Sequence, residues 1–374
     1  MNAAIAPETG HDLGHGDYDL RHHGDAEAVP GMLDFAVNVR LTAPPEWLRA
    51  VLVDALGTLG RYPDAGAATA AAAARHGRPA AEVLPTAGAA EAFVLLARAL
   101  RPRRAVCVHP SFTEPEAALR AAGHDVQRVV LPAPYDLRPE PASAGFVPAD
   151  LIPADADLVV LGNPTNPTGV LHDPADLVRL ARPGRVLVVD EAFIDTVPGE
   201  RGSIAARRDV PGLVVVRSLT KTWGLAGLRV GYVLAEPAMV RTLARAQPLW
   251  SVSAPALAAL AACCSPAALA EADRAAALLG EHRARLLAGL AELGIEVVAP
   301  SSASFVLVRA VGGLDLRERL RAAGIAVRRA DTFPGLGPDH LRIAVRPPAQ
   351  TDRLLTELKS IVAGTPAPAL PDRA

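Results

Sequence analysis

Ser218-Leu-Thr-Lys221-Thr-Trp-Gly-Leu-Ala-Gly-Leu-Arg229 follows directly on a short apolar run, Leu213 to Val216. A single lysine is normally solvated, so Lys221 alone would indicate nothing. Its neighbours change that interpretation, because Ser218, Thr220 and Arg229 can converge on one anion, with the guanidinium forming paired, charge-assisted hydrogen bonds. A partly desolvated lysine beside a cation has a lowered pKa, which leaves a neutral amine able to attack an aldehyde. The segment therefore predicts a Schiff-base lysine beside an anion-binding site.

Short apolar runs alternate with Ala- and Leu-rich stretches along much of the chain. The runs are Ala105–Val108, Leu158–Leu161, Val186–Val189, Leu213–Val216 and Val230–Leu234. This alternation is typical of an α/β fold in which a mostly parallel sheet lies between helices. A long helix is predicted from Pro266 to about Leu293, and the β and α segments that follow, to Ile361, indicate a second, α+β unit.

These patterns divide the sequence into four parts. Residues 1–30 are rich in His, Gly and Asp without periodicity and are predicted to form a flexible amino-terminal arm. Residues 31–255 are assigned to a large domain and residues 256–364 to a small α+β domain. Residues 365–374 are rich in Pro and Ala, which predicts a disordered tail.

Composition excludes several classes of function. Lys and Arg number 38 against 40 Asp and Glu, so no strong overall field would attract nucleic acid or an anionic membrane. Three cysteines provide no disulfide framework, and no Cys/His spacing resembles a zinc site. Neither a secretion signal nor an apolar stretch long enough to span a bilayer is found. We expect a cytoplasmic protein with a small-molecule ligand, no metal, and no nucleic acid or membrane partner.

Two further blocks follow apolar runs: Asn163-Pro-Thr-Asn-Pro-Thr-Gly169 and Val188-Val-Asp-Glu-Ala-Phe193. Alone, the first would be a proline-punctuated turn and the acid of the second a helix cap. Together with the Lys221 segment they resemble the class I/II aminotransferases, enzymes of the pyridoxal-phosphate (PLP) fold type I, and the resemblance extends from about Leu33 to Ile361. It implies a large domain with a seven-stranded, mostly parallel sheet, and PLP attached to Lys221.

The resemblance also assigns the other cofactor contacts. Asp190 would keep the pyridine nitrogen protonated, so that the ring accepts electrons, and Asn166 would bond the ring hydroxyl oxygen. Phe112 would stack on the ring, although a core aromatic is an equal alternative, and Phe193 stands where many family members have a tyrosine. The implied phosphate contacts are Gly88, Ala89 and Ala90 at a helix start, Ser218, Thr220, Arg229, and Tyr62 of a second chain in a homodimer with a shared site.

Two arginines are implied on the substrate side. Arg342 matches the arginine that binds the substrate α-carboxylate through paired hydrogen bonds. Arg328 lies where related enzymes place a further anion-binding arginine, but Arg329 is its neighbour. Because adjacent strand residues face opposite ways, only one of the two can point into the site. The sequence leaves the choice between them open, and Arg328 is the preferred candidate.

Within the family the chain is most similar to the branch of histidinol-phosphate aminotransferases and threonine-phosphate decarboxylases, which act on small phosphorylated amines. Phe193 and the segments 248–252 and 333–337 favour the decarboxylase side.

The amino-terminal phosphate-binding region of that branch is also recognisable. His23 and Asn38 resemble its contacts, although histidines in a flexible arm are more often unstructured than ligands. The usual second asparagine and its proline are replaced by Arg40 and Leu41, which bears on substrate placement.

Three hypotheses follow. The leading one is a threonine-phosphate decarboxylase-like enzyme of corrinoid biosynthesis, and the alternative is an aminotransferase of histidinol-phosphate type that exchanges its amino group with glutamate and 2-oxoglutarate. A non-catalytic PLP-binding sensor is the third, although no helix-turn-helix is predicted. The same residues serve decarboxylation and transamination, because PLP labilises whichever α-carbon bond stands perpendicular to its ring, so the sequence leaves the reaction open.

Overall fold

The computed structural model describes residues 18–138 and 148–364. The predicted tail and residues 1–17 of the predicted arm lie outside these ranges. Among the described residues, no single helix has the length and hydropathy of a membrane span. The helices Ala254–Cys263 and Pro266–Glu292 meet these two criteria only when they are counted together, and a bend of 74° separates them.

Strands and helices alternate along most of the described residues. The strands are β1 (Leu33–Phe35), β2 (Val83–Thr86), β3 (Ala105–His109), β4 (Val126–Val130), β5 (Leu158–Gly162), β6 (Val186–Asp190), β7 (Leu213–Ser218), β8 (Gly231–Ala235), β9 (Glu296–Val297), β10 (Phe305–Arg309), β11 (Ile325–Arg329) and β12 (His340–Ala344). The α-helices are α1 (Glu46–Leu56), α2 (Gly66–His76), α3 (Gly88–Ala99), α4 (Glu114–Ala121), α5 (Pro174–Arg179), α6 (Pro237–Ala246), α7 (Ala254–Cys263), α8 (Pro266–Glu292), α9 (Gly313–Ala322) and α10 (Pro348–Ala363).

The larger sheet has seven strands in the order β2-β8-β7-β6-β5-β3-β4. Strands β3 to β7 pair in parallel, whereas β8 runs antiparallel to β7 and β2. Successive side chains of a strand enter opposite layers: Leu187 and Val189 pack in the core shared with α2, α5 and α7, and Val188 packs in the core shared with α3, α4 and α6. Because both faces are covered, these strands are continuously apolar, which is why the sequence signals them.

The five predicted apolar runs coincide with β3, β5, β6, β7 and β8, so the predicted mostly parallel sheet between helices is confirmed. The strands β2 and β4 were not predicted. Both lie at the edges of the sheet, where β2 contains Pro85 and β4 contains the exposed Gln127. Edge strands tolerate proline and polar residues, which weakens their apolar signal.

The smaller sheet has the order β1-β11-β12-β10-β9. Its strand β1 comes from the segment that the sequence assigned to the large domain, and it pairs in parallel with β11. The helix α7 packs on α1 and α2 in the core of the large domain, so the predicted boundary after residue 255 falls inside a large-domain helix. The long helix α8 joins the two cores, with Ala272 in the large one and Leu286 in the small one.

We expect Leu286→Ala to lower the free energy of unfolding by about 2–5 kcal/mol, because this fully buried side chain leaves a cavity in the small-domain core. Leu278→Ala, on the same helix at 49% exposure, is the matched control and should change it by less than about 0.5 kcal/mol. Thermal and denaturant unfolding followed by circular dichroism measure both variants. Equal losses would contradict the assignment of α8 as the link between the cores.

Candidate active site

A cavity of about 510 Å³ lies at the carboxyl ends of β5, β6 and β7, where the large domain faces the small one. Parallel strands bring these ends to one edge of the sheet, which places residues distant in sequence side by side. Except for Gly88 and Tyr62, every predicted site residue lines this cavity. The lining residues of that set are His23, Asn38, Ala89, Ala90, Phe112, Asn166, Asp190, Ser218, Thr220, Lys221, Arg229, Arg328 and Arg342.

Lys221 lies three residues beyond the end of β7, in the wall of the cavity. Burial lowers its pKa to about 8, and the nearby Arg342 and Arg229 lower it as well, whereas Asp190 acts in the opposite direction. Its Nζ lies 5.9 Å from the centre of the Phe193 ring. The amine is therefore partly neutral near pH 8, as a nucleophile requires.

Asp190 is the last residue of β6 and is 9% exposed. Its Oδ1 accepts a hydrogen bond of 3.0 Å from the Ala192 amide, and burial raises its pKa to about 6. The side chain is thus an anion at neutral pH, in the same cavity as the Lys221 amine.

An anion cradle lies at the start of α3. The hydroxyls of Ser218 and Thr220 are 2.8 Å apart, and both line the cavity with Arg229. A Cβ on Gly88 would lie 2.8 Å from Nη2 of Arg229, and Gly88 has a φ of +77°, so the position requires glycine. Arg229 itself adopts a φ of +56°, which is strained for a side chain of this size. Free amides at the helix start, two hydroxyls and a guanidinium suit a phosphate group.

Arg342 is buried against the opposite side of the cavity. Its Nη1 donates to Asn166 Oδ1 at 2.5 Å and its Nη2 to the Ala36 carbonyl at 2.6 Å, while its Nε has no partner among the described residues. Burial lowers its pKa to about 9, and Arg328 adds to this effect. The Oδ1 of Asn38 is also buried without a partner among the described residues. Such unpaired polar atoms in a cavity wall indicate the place of a polar ligand.

The structure distinguishes Arg328 from Arg329. Arg328 is 2% exposed and lines the cavity, where its Nη2 donates to the His22 carbonyl and to Thr332 Oγ1, each at 2.6 Å. Arg329 faces the other way and pairs with Asp331. Burial lowers the pKa of Arg328 to about 10.

Residues 18–30 of the predicted arm lie against both domains. His23 Nε2 is 2.8 Å from Glu114 Oε1, and its ring centre lies 5.4 Å from that of Phe112. Glu27 is 1% exposed and accepts a hydrogen bond from Arg317 Nε at 2.8 Å, which fixes the segment to the small domain. His15 lies outside the described residues.

Two acidic residues of the cavity were not singled out from the sequence. Asp25 and Glu114 both line it. The only sequence signal for Glu114 is its place after the Pro110-Ser-Phe-Thr segment. Asp25 belongs to the recognised segment His23-Gly24-Asp25, from which only His23 was assigned a contact.

Tyr62 lies on the surface of the chain, away from the cavity lining. It is 75% exposed and stacks on Trp250, with ring centres 4.1 Å apart. Within a single chain it does not reach the residues of the cavity.

Comparisons with known proteins identify the family and the fold. A histidinol-phosphate aminotransferase of Mycobacterium tuberculosis is 51% identical over 330 residues, 87% of each chain. A threonine-phosphate decarboxylase of Salmonella typhimurium is 35% identical over 348 residues, 89% of this chain and 92% of the other. The fold is similar to that of the histidinol-phosphate aminotransferase of Sinorhizobium meliloti, whose structure is a complex with pyridoxal-5'-phosphate: the TM-score is 0.75 at 23% identity over 87% and 89% of the chains.

The model of the family described as Aminotransferase class I and II matches residues 30–358. The predicted fold, type I of the PLP-dependent enzymes, is confirmed by these comparisons. With its site at the shared carboxyl edge of the parallel strands, the chain belongs to the class I and II aminotransferase family.

Proposed function

We infer that the chain is a PLP-dependent enzyme that acts on a small phosphorylated amine or amino acid. The observation that carries this proposal is the presence, in one cavity, of a lysine with a pKa of about 8, a buried carboxylate and an anion cradle. A nucleophilic amine, an acid and a phosphate site are the three features that PLP needs. When bound, PLP supplies an electron sink for a broken bond at the substrate α-carbon.

Each group of residues has a separate task in this proposal. Lys221 would hold the cofactor covalently and, when released, move protons at its Nζ, because its amine is neutral above about pH 8. Asp190 remains charged above about pH 6 and would hold a proton on the ring nitrogen. Ser218, Thr220, Arg229 and the α3 amides would bind the phosphate, while Phe112 and Asn166 would orient the ring. Family membership and the lining of the cavity support these contacts.

Two buried guanidinium groups support a substrate with two anionic groups. Arg342 and Arg328 both line the cavity, and burial together with the repulsion from Arg328 lowers the pKa of Arg342. A carboxylate at Arg342 and a phosphate near Arg328, His23 and Asn38 would neutralise both cations at once. Threonine phosphate carries both groups, so a threonine-phosphate decarboxylase-like activity is the leading proposal.

The alternative is an aminotransferase of histidinol-phosphate type. Its support is the 51% identity to a relative with that name, compared with 35% for the decarboxylase. In this reaction, Arg342 would bind a carboxylate of glutamate in one half of the cycle and Arg328 the phosphate of the amine in the other. The two proposals use the same residues and differ in the bond that breaks.

We expect the PLP-loaded protein to convert threonine phosphate to aminopropanol phosphate and carbon dioxide without a keto acid, because Arg342 and Arg328 can bind its two anions together. Carbon dioxide release and mass spectrometry of the product measure this. Arg342→Lys keeps one charge but loses the paired contact and should lower kcat/KM about 10- to 100-fold. Conversion of histidinol phosphate with 2-oxoglutarate, and none of threonine phosphate, would replace the leading proposal by the alternative.

The covalent link to PLP should form faster as the pH rises towards 8 and level off above it, because only the neutral Lys221 amine reacts. Asp190→Asn removes the anion that raises this pKa, so its midpoint should move below that of the unchanged protein. Visible absorbance of cofactor-free protein mixed with PLP measures the rate, and Asp209→Asn, on the surface, is the control. The sequence has two lysines, Lys221 and Lys359, so borohydride reduction and peptide mapping locate the link.

A homodimer with a shared site is also part of the proposal. Tyr62, Trp250 and Leu249 form an exposed apolar patch, with exposures of 75%, 54% and 79%. Patches of this kind on a chain often mark an interface between proteins. A second copy seated here would bring its Tyr62 towards the phosphate of the facing site.

We therefore expect Leu249→Asp to shift the protein from dimer to monomer, because a carboxylate would be buried in the interface. Light scattering after size exclusion measures the mass. Val311→Asp, at a position 90% exposed outside the patch, should leave the dimer intact. A monomeric unchanged protein would refute this part of the proposal.

A further inference from the structure

Arg40, which replaces the usual second asparagine of the family branch, binds the backbone of the Lys221 segment. Its amide donates to the Lys221 carbonyl at 2.9 Å, and its Nε donates to the Thr222 carbonyl at 3.2 Å. It is absent from the lining of the substrate cavity, whereas its neighbour Val39 is part of that lining. At this position the chain therefore has an arginine that contacts the backbone carrying Lys221 and does not line the substrate cavity.

A small void of about 10 Å³ lies behind the same segment. Its polar lining consists of Arg40, Asp195, Thr196, Lys221, Thr222 and Ser304, and its apolar side is formed by α8. A void that holds one water molecule needs roughly 10–15 Å³ and two to four polar partners. The void is at the lower end of this size and most of its surface is apolar, so the polar partners for a water are limited to side chains such as Asp195, Thr222 and Ser304.

Three polar atoms of this void are left unpaired. Both carboxylate oxygens of Asp195 and the hydroxyl of Ser304 are buried without a hydrogen-bond partner among the described residues. Burial raises the pKa of Asp195, and the nearby Thr222 side chain acts against this rise although it lies outside hydrogen-bond geometry. A buried carboxylate without a completed hydrogen bond is unfavourable, so a further donor would stabilise its charged form.

Two acidic residues stabilise the charged form of Arg40. Arg40 is partly buried, and the anions that stabilise its charge are Glu271 and Asp195. Glu271 already accepts a hydrogen bond from Trp47 Nε1 at 2.9 Å, which leaves Asp195 as the acid of this pair with unpaired oxygens.

We propose that Arg40, one buried water molecule and Asp195 form a charge-balanced support behind Lys221. The water donates to Asp195 and accepts from Ser304, and Arg40 holds the Lys221 and Thr222 carbonyls. Arg40 and Asp195 are positioning residues: they fix the peptide that carries the amine and keep the local charge near zero. The catalytic consequence rests on the proposed attachment of PLP to Lys221, but the support itself does not.

The support makes a prediction about the Lys221 amine in the cofactor-free protein. The other charged groups that act on Lys221 include Asp190, Asp25, Arg342 and Arg229, and those that act on Asp195 include Arg217, Glu200 and Arg75. None of these is changed by substitutions at Arg40 or Asp195. Asp195→Asn would remove a negative charge behind Lys221 and lower the pKa of Lys221, and Arg40→Met would remove a positive charge there and raise it.

The test is the pH midpoint of Lys221 labelling by a limiting acylating reagent, read by peptide mass spectrometry. Lys359 is exposed on α10 and serves as the internal reference in every sample. We expect shifts of at least about half a pH unit, downward for Asp195→Asn and upward for Arg40→Met, with the double variant returning to the original midpoint. Arg40→Lys keeps the charge and should leave the midpoint unchanged, which provides a readout if Arg40→Met does not fold.

The matched control is the exposed pair Arg207–Asp209, whose substitutions Arg207→Met and Asp209→Asn should not move the midpoint. Shifts in the same direction for both single variants at the support, or no shift at all, would overturn the proposal. Because labelling needs neither PLP nor substrate, its outcome is independent of the reaction catalysed. If the enzyme loaded with PLP is active, Asp195→Asn and Arg40→Met should each lower kcat with little change in KM.

Discussion

The burial of one amine governs the whole site. An ammonium group at Lys221 is disfavoured by the loss of water and by two nearby guanidinium groups, and the opposing Asp190 is itself destabilised as an anion by burial. Each group therefore depends on the other for its charge. Their proximity follows from the sheet: β6 and β7 are parallel neighbours in register, so the residues at their carboxyl ends meet at one edge.

Two buried arginines add to the positive charge of the cavity. Arg342 and Arg328 donate hydrogen bonds to the backbone carbonyls of Ala36 and His22, which cancel no charge, and Glu27 lies 3.6 Å from Arg328 Nη1. Burial lowers both pKa values, and the nearby acids offset only part of this effect. The cavity is thus preorganised for anions, and an anionic ligand would gain more there than at a solvated surface.

The sequence predicted those parts of the molecule that have a local cause. Strands covered on both faces, such as β6, are continuously apolar, and the chemistry at their ends stands out against them. The support from residues 18–30 was not predicted, since the contact of Glu27 with Arg317 joins positions 290 residues apart. The preference for Arg328 over Arg329 depended on which face of β11 meets the cavity, and a sequence shows alternation but not which face is inward. Arg40 was recognised as a departure, yet its contact with the Lys221 backbone arises only from the fold.

One hydrogen bond in the cavity bears on the choice between decarboxylation and transamination. Arg342, which we assign to the substrate carboxylate, donates directly to Asn166, which we assign to the cofactor ring. The grip on the carboxylate and the orientation of the ring therefore share one contact, and the angle between them cannot change without breaking it. Because the bond perpendicular to the ring would be the one that breaks, the proposed second anion site at Arg328 would act on how the rest of the substrate turns about this contact. Under our proposal, the distance between the two anions of the substrate would therefore influence which α-carbon bond breaks.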